Sequence, residues 1–178
     1  MQSFDPAPIR AEGAGRYLAF GMAITGPRRF LDGHCHPFAD AADGAVNDAL
    51  TIEVCLGPAV ADPQWQTLLT HDQDKAAQAG HRFLRVAEDD QGARRYQIID
   101  GLVVDADPGN SLLRVYAPPT MHPDSLGSFI MGTAMLCYFK AQQRLCLHAA
   151  VAVRDGQTAL ICGPSGAGKS SFAAALLY

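Results

Sequence analysis

Hydrophobic and polar positions alternate along much of the first 120 residues, in short runs separated by turn-forming residues. A period of two is typical of half-buried β-strands. It predicts strands at residues 16–25, 50–56, 82–87, 94–99, 102–105 and 112–116. The Asp- and Gly-containing turns between the later runs favour an antiparallel sheet. Residues 26–48 have the composition of a loop, and a short helix is predicted at residues 65–70.

The pattern changes after a proline-rich break near residue 118. Residues 125–144 have helical spacing, with Asp124 or Ser125 as the expected N-cap and basic residues near the end. Their apolar run, residues 129–139, is shorter than the roughly 20 residues that cross a bilayer. A buried helix and no membrane association are therefore predicted.

Two strands and a phosphate-binding motif follow this helix. Strands are predicted at residues 145–153 and 158–162, joined by a hairpin turn at Asp155-Gly156. Next comes Gly163-Pro164-Ser165-Gly166-Ala167-Gly168-Lys169-Ser170, which matches the pattern GxxxxGK[ST] of a P-loop, and then a helix at residues 170–177. This strand–loop–helix order predicts a site for ATP and Mg²⁺, although a P-loop binds the phosphates and not the base.

Each residue type in the motif has a chemical role. The glycines allow backbone N–H groups to approach a phosphate closely, and the helix N-terminus adds positive potential. Lys169 reaches the β- and γ-phosphates, and the Ser170 hydroxyl is placed to ligate Mg²⁺. Ser171 completes the predicted nucleotide-binding set.

The surrounding residues resemble the HPr kinase/phosphorylase family and its divergent relatives among P-loop serine kinases. The resemblance rests on Leu147-His148-Ala149-Ala150-Val151-Ala152-Val153, on Asp155-Gly156 and on the run from Ala159 to Ser170. In that family a histidine opens a strand, a hairpin follows, and the second strand enters the P-loop. The strong likeness covers residues 143–178 and extends loosely back to about residue 125. Ser171 stands where the HPr enzyme commonly has an acidic residue, which favours a divergent kinase with another substrate.

The predicted fold is α/β: the strand pattern gives an antiparallel-rich N-terminal region (residues 1–120), and the resemblance implies that the first part of a P-loop kinase core follows (residues 121–178). The resemblance also implies transfer of the ATP γ-phosphoryl group to a serine of a protein or peptide, which the N-terminal region would recognise. Lys169 and His148 are then the candidate catalytic residues, and an oligomer can form. A strand histidine that only packs beside the helix is an equal alternative for His148.

A kinase of this type also needs a carboxylate as base and another for Mg²⁺. In the family these follow the P-loop helix, but no Asp or Glu follows Lys169 here. We therefore expect the 178 residues to be an inactive fragment of a longer kinase. Two alternatives are a fragment of an ABC-type transport ATPase and a nucleotide-sensing or partner-binding module without catalysis.

The composition and charge of the chain limit the kinds of function that it can have. The chain is 48% hydrophobic and 18% charged, which predicts a packed core. Its net charge of −4, without a long basic run, argues against binding to nucleic acid. The N-terminus lacks the features of a secretory signal, and five cysteines without a CxxC pair indicate the reducing cytoplasm.

Weaker signals have ordinary explanations. His34-Cys35-His36 offers too few ligands for a zinc site and is read as a loop. Cys162 is expected to be buried in its strand, and Trp65 to fill the core. Asp100, Asp105 and Asp107 are assigned to turns.

Overall fold

The structure is a computed structural model that describes residues 13–37, 48–59, 65–71, 83–164 and 166–177. The chain divides into two compact units, Met1–Arg144 and Leu145–Tyr178. The fold is mixed α/β, with a large and mostly antiparallel sheet in the first unit. The domain boundary at residue 120 that the sequence suggested stays a prediction.

Within the described residues, the sheet of the first unit has nine strands in the order β3-β1-β2-β4-β9-β8-β7-β6-β5. Strand β4 is parallel to its neighbours β2 and β9, and the other neighbouring pairs are antiparallel. The antiparallel-rich character predicted for this region is therefore confirmed. The strands are β1 (Ala14–Ala19), β2 (Met22–Pro27), β3 (His36–Pro37), β4 (Ala49–Leu56), β5 (Gln66–Thr70), β6 (Phe83–Glu88), β7 (Arg94–Ile98), β8 (Val103–Asp107) and β9 (Leu112–Ala117).

The single strand predicted at residues 16–25 was wrong. Strands β1 and β2 form a hairpin there, with Ala19 paired to Met22 across a two-residue turn. Phe20 and Gly21 both have positive φ values, 55° and 73°. Such turns match the twist of a hairpin, and glycine adopts this conformation without steric cost. The apolar Phe20 made the stretch look continuous, although its side chain is exposed.

The helix predicted at residues 65–70 was also wrong, because this segment forms β5 and pairs with β6. Pairing with a neighbouring strand outweighs a weak local preference for helix. The loop predicted at residues 26–48 contains a short helix, α1 (Arg28–Leu31), and β3; residues 38–47 lie outside the described part.

The buried helix of the first unit is confirmed, but it starts earlier than predicted. It consists of α2 (Pro123–Phe129), one π-helical turn (Ile130–Ala134) and α3 (Met135–Ala141). The expected N-cap at Asp124 or Ser125 was wrong: His122 is the cap, and its Nδ1 accepts the N–H of Asp124 at 3.3 Å. Proline suits the first helical position, which makes the preceding residue the cap. No helix among the described residues is long and apolar enough to cross a membrane.

One face of the sheet packs against this helix and forms the main core. The helix contributes Leu126, Ile130, Ala134, Met135, Cys137 and Tyr138, and the sheet contributes Ile52, Val54, Val104, Leu113 and Val115 among others. Burial raises the pKa of the Cys137 thiol to about 12, so this cysteine stays protonated and packs like a small apolar residue.

The opposite face of the sheet carries ion pairs. Arg114 contacts Glu53 at 2.8 Å, and Arg95 makes two hydrogen bonds to Asp105, at 2.6 and 2.7 Å. The Arg95 guanidinium lies 4.9 Å from the ring centre of the half-buried Trp65. Asp105 is therefore a strand residue in an ion pair, which corrects its assignment to a turn. Trp65 packs on this polar face, outside the main core.

The other two aspartates lie at turns, as predicted. Asp100 sits in a single 3-10 turn with φ of 72°, and Asp107, at the end of β8, accepts the N–H of Asn110 at 3.1 Å.

The second unit contains a hairpin and a helix. Strands β10 (Ala149–Arg154) and β11 (Gln157–Cys162) pair antiparallel, and α4 (Lys169–Leu177) packs on β10. The predicted turn is confirmed, with φ values of 52° at Asp155 and 75° at Gly156. The first strand starts at Ala149, so residues 145–148 of the predicted strand are not part of it.

Two glycines of the long helix provide a test of its packing. A Cβ added at Gly127 would collide with the carbonyl oxygen of Phe30 and with the His34 imidazole, whereas one at Gly132 would meet nothing within 4 Å. We expect Gly127→Ala to lower the free energy of unfolding by about 2 kcal/mol, as overpacking does. Gly132→Ala should leave it unchanged or raise it by up to about 1 kcal/mol. Urea unfolding followed by circular dichroism measures both, and equal stabilities would contradict the packing described.

Candidate phosphate-binding site

The loop between β11 and α4 has the backbone conformation that its glycines allow. Gly166 and Gly168 have φ values of 79° and 77°, in the left-handed region. Nothing lies within 4 Å of a Cβ built at either position, so backbone conformation and not crowding favours glycine there. The Ala167 N–H donates to the Pro164 carbonyl at 3.3 Å, which closes the turn. Ser165 lies outside the described residues.

Lys169 is the first residue of α4 and folds back over the loop. Its Nζ donates to the carbonyl oxygens of Gly163, at 3.0 Å, and Pro164, at 2.9 Å. The ammonium group is therefore held at the start of the loop by neutral acceptors. A phosphate oxygen is a charged and stronger acceptor, so it can replace these carbonyls without unfolding the loop.

The helix supplies the remaining part of the loop's chemistry. The first hydrogen bond of the helical type runs from the Phe172 N–H to the Gly168 carbonyl, at 2.9 Å. The N–H groups of the residues before Phe172 in α4 therefore have no acceptor within the helix. Such groups and the helix dipole favour an anion at this end. Ser170 and Ser171 are exposed in this first turn, where a hydroxyl is accessible to a metal ion bound to phosphate.

His148 lies at the same end of the hairpin as the loop. Ala149 pairs with Cys162 in the register of β10 and β11. His148 directly precedes β10 and Gly163 directly follows β11, so their backbones flank the entrance to the loop. The His148 side chain is exposed. Its catalytic role stays a prediction.

Cys162 is exposed, which corrects the expectation that it is buried. Alternate residues of a strand share a face, so Cys162 and Leu160 lie on one face of β11. Leu160 pairs with Val151 of β10, and Val153 follows Val151 by two residues, so these valines lie on the same face of the hairpin. These three side chains are 53–58% exposed. Helix α4 contacts β10, where Ala152 is buried, and the outer face is uncovered. The sequence shows that β11 is apolar, but it does not show that only one face of the hairpin is covered.

The part of the chain that the structure describes shows no cluster of metal-ligating side chains at the loop. Among the described residues, no group of three or more His, Cys, Asp and Glu side chains could hold a metal ion. The nearest acidic residue along the chain, Asp155, lies at the opposite end of the hairpin. Within the second unit, the described residues therefore place no carboxylate at the loop.

The comparisons with known proteins add no relative. Neither protein-family models, nor curated proteins, nor solved structures gave a match to this chain.

The left-handed glycines allow a matched test of the loop. Placing an L-residue in this conformation costs about 1–2 kcal/mol. We expect Gly168→Ala to weaken Mg·ATP binding about tenfold, measured by isothermal titration calorimetry. Gly156→Ala is the control, because Gly156 has a similar φ of 75° but lies in the hairpin turn. It should lower stability without changing affinity, and equal effects of both variants on affinity would count against a phosphate-binding loop.

Proposed function

We propose that this chain carries the nucleotide-binding part of an ATP-dependent serine kinase related to the HPr kinase/phosphorylase family. The observation that carries the proposal is the conformation of the loop after β11, with left-handed Gly166 and Gly168 and with Lys169 folded over it. In the nucleotide complex, backbone N–H groups and Lys169 bind the phosphates, and Ser170 ligates Mg²⁺. Catalysis in such enzymes consists mainly of positioning and charge neutralisation.

The residues Leu147-His148-Ala149-Ala150 and the helix before them favour a kinase over an ABC-type transport ATPase, in which a turn and a strand can also precede the P-loop. Strand β10 runs antiparallel to β11 and brings His148 to the entrance of the loop. In the proposed kinase, His148 lies beside the transferred phosphoryl group or the acceptor hydroxyl. Lys169 neutralises the charge that develops on the phosphoryl oxygens.

The exposed apolar surface of the second unit supports the proposal that the kinase core is larger than this unit. Leu147, Val151, Val153 and Leu160 are each more than half exposed. A two-stranded hairpin is marginally stable by itself, and exposed apolar patches mark contact surfaces. We propose that further chain of the same domain covers this surface and brings the missing carboxylates to the loop. The 178 residues alone would bind nucleotide without transferring phosphate.

The first unit would recognise the protein or peptide that carries the acceptor serine. Strand β5 is the last described strand of the sheet, and all five of its side chains are exposed, including Leu68 and Leu69. An edge strand of this kind can pair with an extended peptide through its backbone groups. The cytoplasm, which supplies ATP and keeps thiols reduced, is the proposed location.

Thermal unfolding of the chain with Mg·ATP tests nucleotide binding. A ligand at about 100 times its Kd stabilises the folded state by about 2.7 kcal/mol, which corresponds to a rise in Tm of about 5–10 °C for a chain of this size. Lys169→Ala should abolish this rise. Lys140→Ala, which changes an exposed lysine on α3, should retain it. A rise that survives Lys169→Ala would refute binding through this loop.

The coding sequence beyond Tyr178 tests the kinase assignment. Two carboxylates at the end of the next strand, together with transfer of ³²P from γ-labelled ATP to serine by the longer protein, would support it. An LSGGQ-like segment would assign the chain to a transport ATPase. A stop codon directly after Tyr178 would refute the assignment as an enzyme, and a nucleotide-binding module without catalysis would be the remaining interpretation.

A further inference from the structure

Two sulfur atoms meet in the first unit, away from the phosphate-binding motif in the sequence. The Cys35 thiol, in the turn after α1, donates to the thioether of Met131 with an S···S distance of 3.3 Å. Both side chains are half-buried and pack on the edge of the main core. Met131 belongs to the single π-helical turn of the long helix, and such turns are frequent at functional sites.

A third donor lies on the same part of the helix. The His34 imidazole occupies the space beside Gly127, where an added Cβ would collide with its Nε2 and Cδ2. Met131 follows Gly127 by one helical turn, and helical side chains lean back toward the preceding turn. The Met131 thioether and the His34 ring are therefore directed toward the same stretch of helix surface, and Cys35 follows His34 directly.

The chemistry of these donors selects a class of metal ion. Thiolate and thioether ligands select soft ions such as Cu(I), and imidazole also binds copper. A metal–thiolate bond is about 2.3 Å long, so two sulfurs 3.3 Å apart can both reach one ion, at an angle of about 90°. We propose that Cys35, Met131 and His34 form a binding site for one Cu(I) ion, with the thiol releasing its proton as copper binds.

Zinc fits this site poorly. A structural zinc site takes four His, Cys or carboxylate ligands, and no group of even three such residues that could hold an ion occurs in the described ranges. A thioether is a suitable third ligand for Cu(I) but not for zinc. The preference for a soft ion thus rests on Met131.

The test is an anaerobic titration of the 178-residue chain with Cu(I) in competition with a chromophoric chelator. Cys162 is exposed and Cys146 is half-buried, as Cys35 is, so both could bind copper nonspecifically, and the parent protein carries Cys146→Ser and Cys162→Ser. We expect this parent to bind one equivalent of Cu(I). Met131→Leu, a substitution that conserves volume, should weaken binding at least tenfold, Cys35→Ser should abolish it, and His34→Gln should weaken it.

The metal environment provides a second readout that does not depend on the variants folding. X-ray absorption of the copper-loaded parent should show two sulfur ligands and one nitrogen ligand. The proposal is overturned if the parent binds no copper, if Met131→Leu binds it as tightly as the parent, or if the ion has sulfur ligands only.

Discussion

The left-handed backbone at Gly166 and Gly168 is the constraint on which the candidate site depends. It turns the chain from β11 into α4 within a few residues, which brings the N-terminus of the helix and Lys169 to the end of the strand. An L-residue at either position would oppose this turn at a cost of about 1–2 kcal/mol. Glycine at these two positions therefore removes the steric cost of the turn.

The two units are stabilised differently. In the first unit, the long helix buries a continuous apolar face against the sheet, and the ion pairs of Arg95 and Arg114 are on the opposite face. In the second unit, Ala152 and Ala173 are the buried residues among those described. Such a small core gives little stability by itself. The buried apolar core of the second unit is much smaller than that of the first unit.

The sequence predicted the features that depend on residues close together in the chain. The Asp155-Gly156 turn, the order of strand, loop and helix around residues 157–177 and most period-two strands follow from turn chemistry and alternation, and they are confirmed. Strand β5 was missed because its pairing with β6 is a tertiary contact, and the exposure of Cys162 depends on which face α4 covers. The contact between Cys35 and Met131 joins residues far apart in sequence, so no spacing rule could predict it.

Amide chemical shifts of the ¹⁵N-labelled chain, measured by NMR during titration with Mg·ATP, test the central claim most directly. Amide protons that form hydrogen bonds to phosphate should shift downfield, and these shifts should be confined to residues 163–171 and be largest in the loop. An unchanged loop spectrum at millimolar nucleotide, or shifts confined to the first unit, would contradict it.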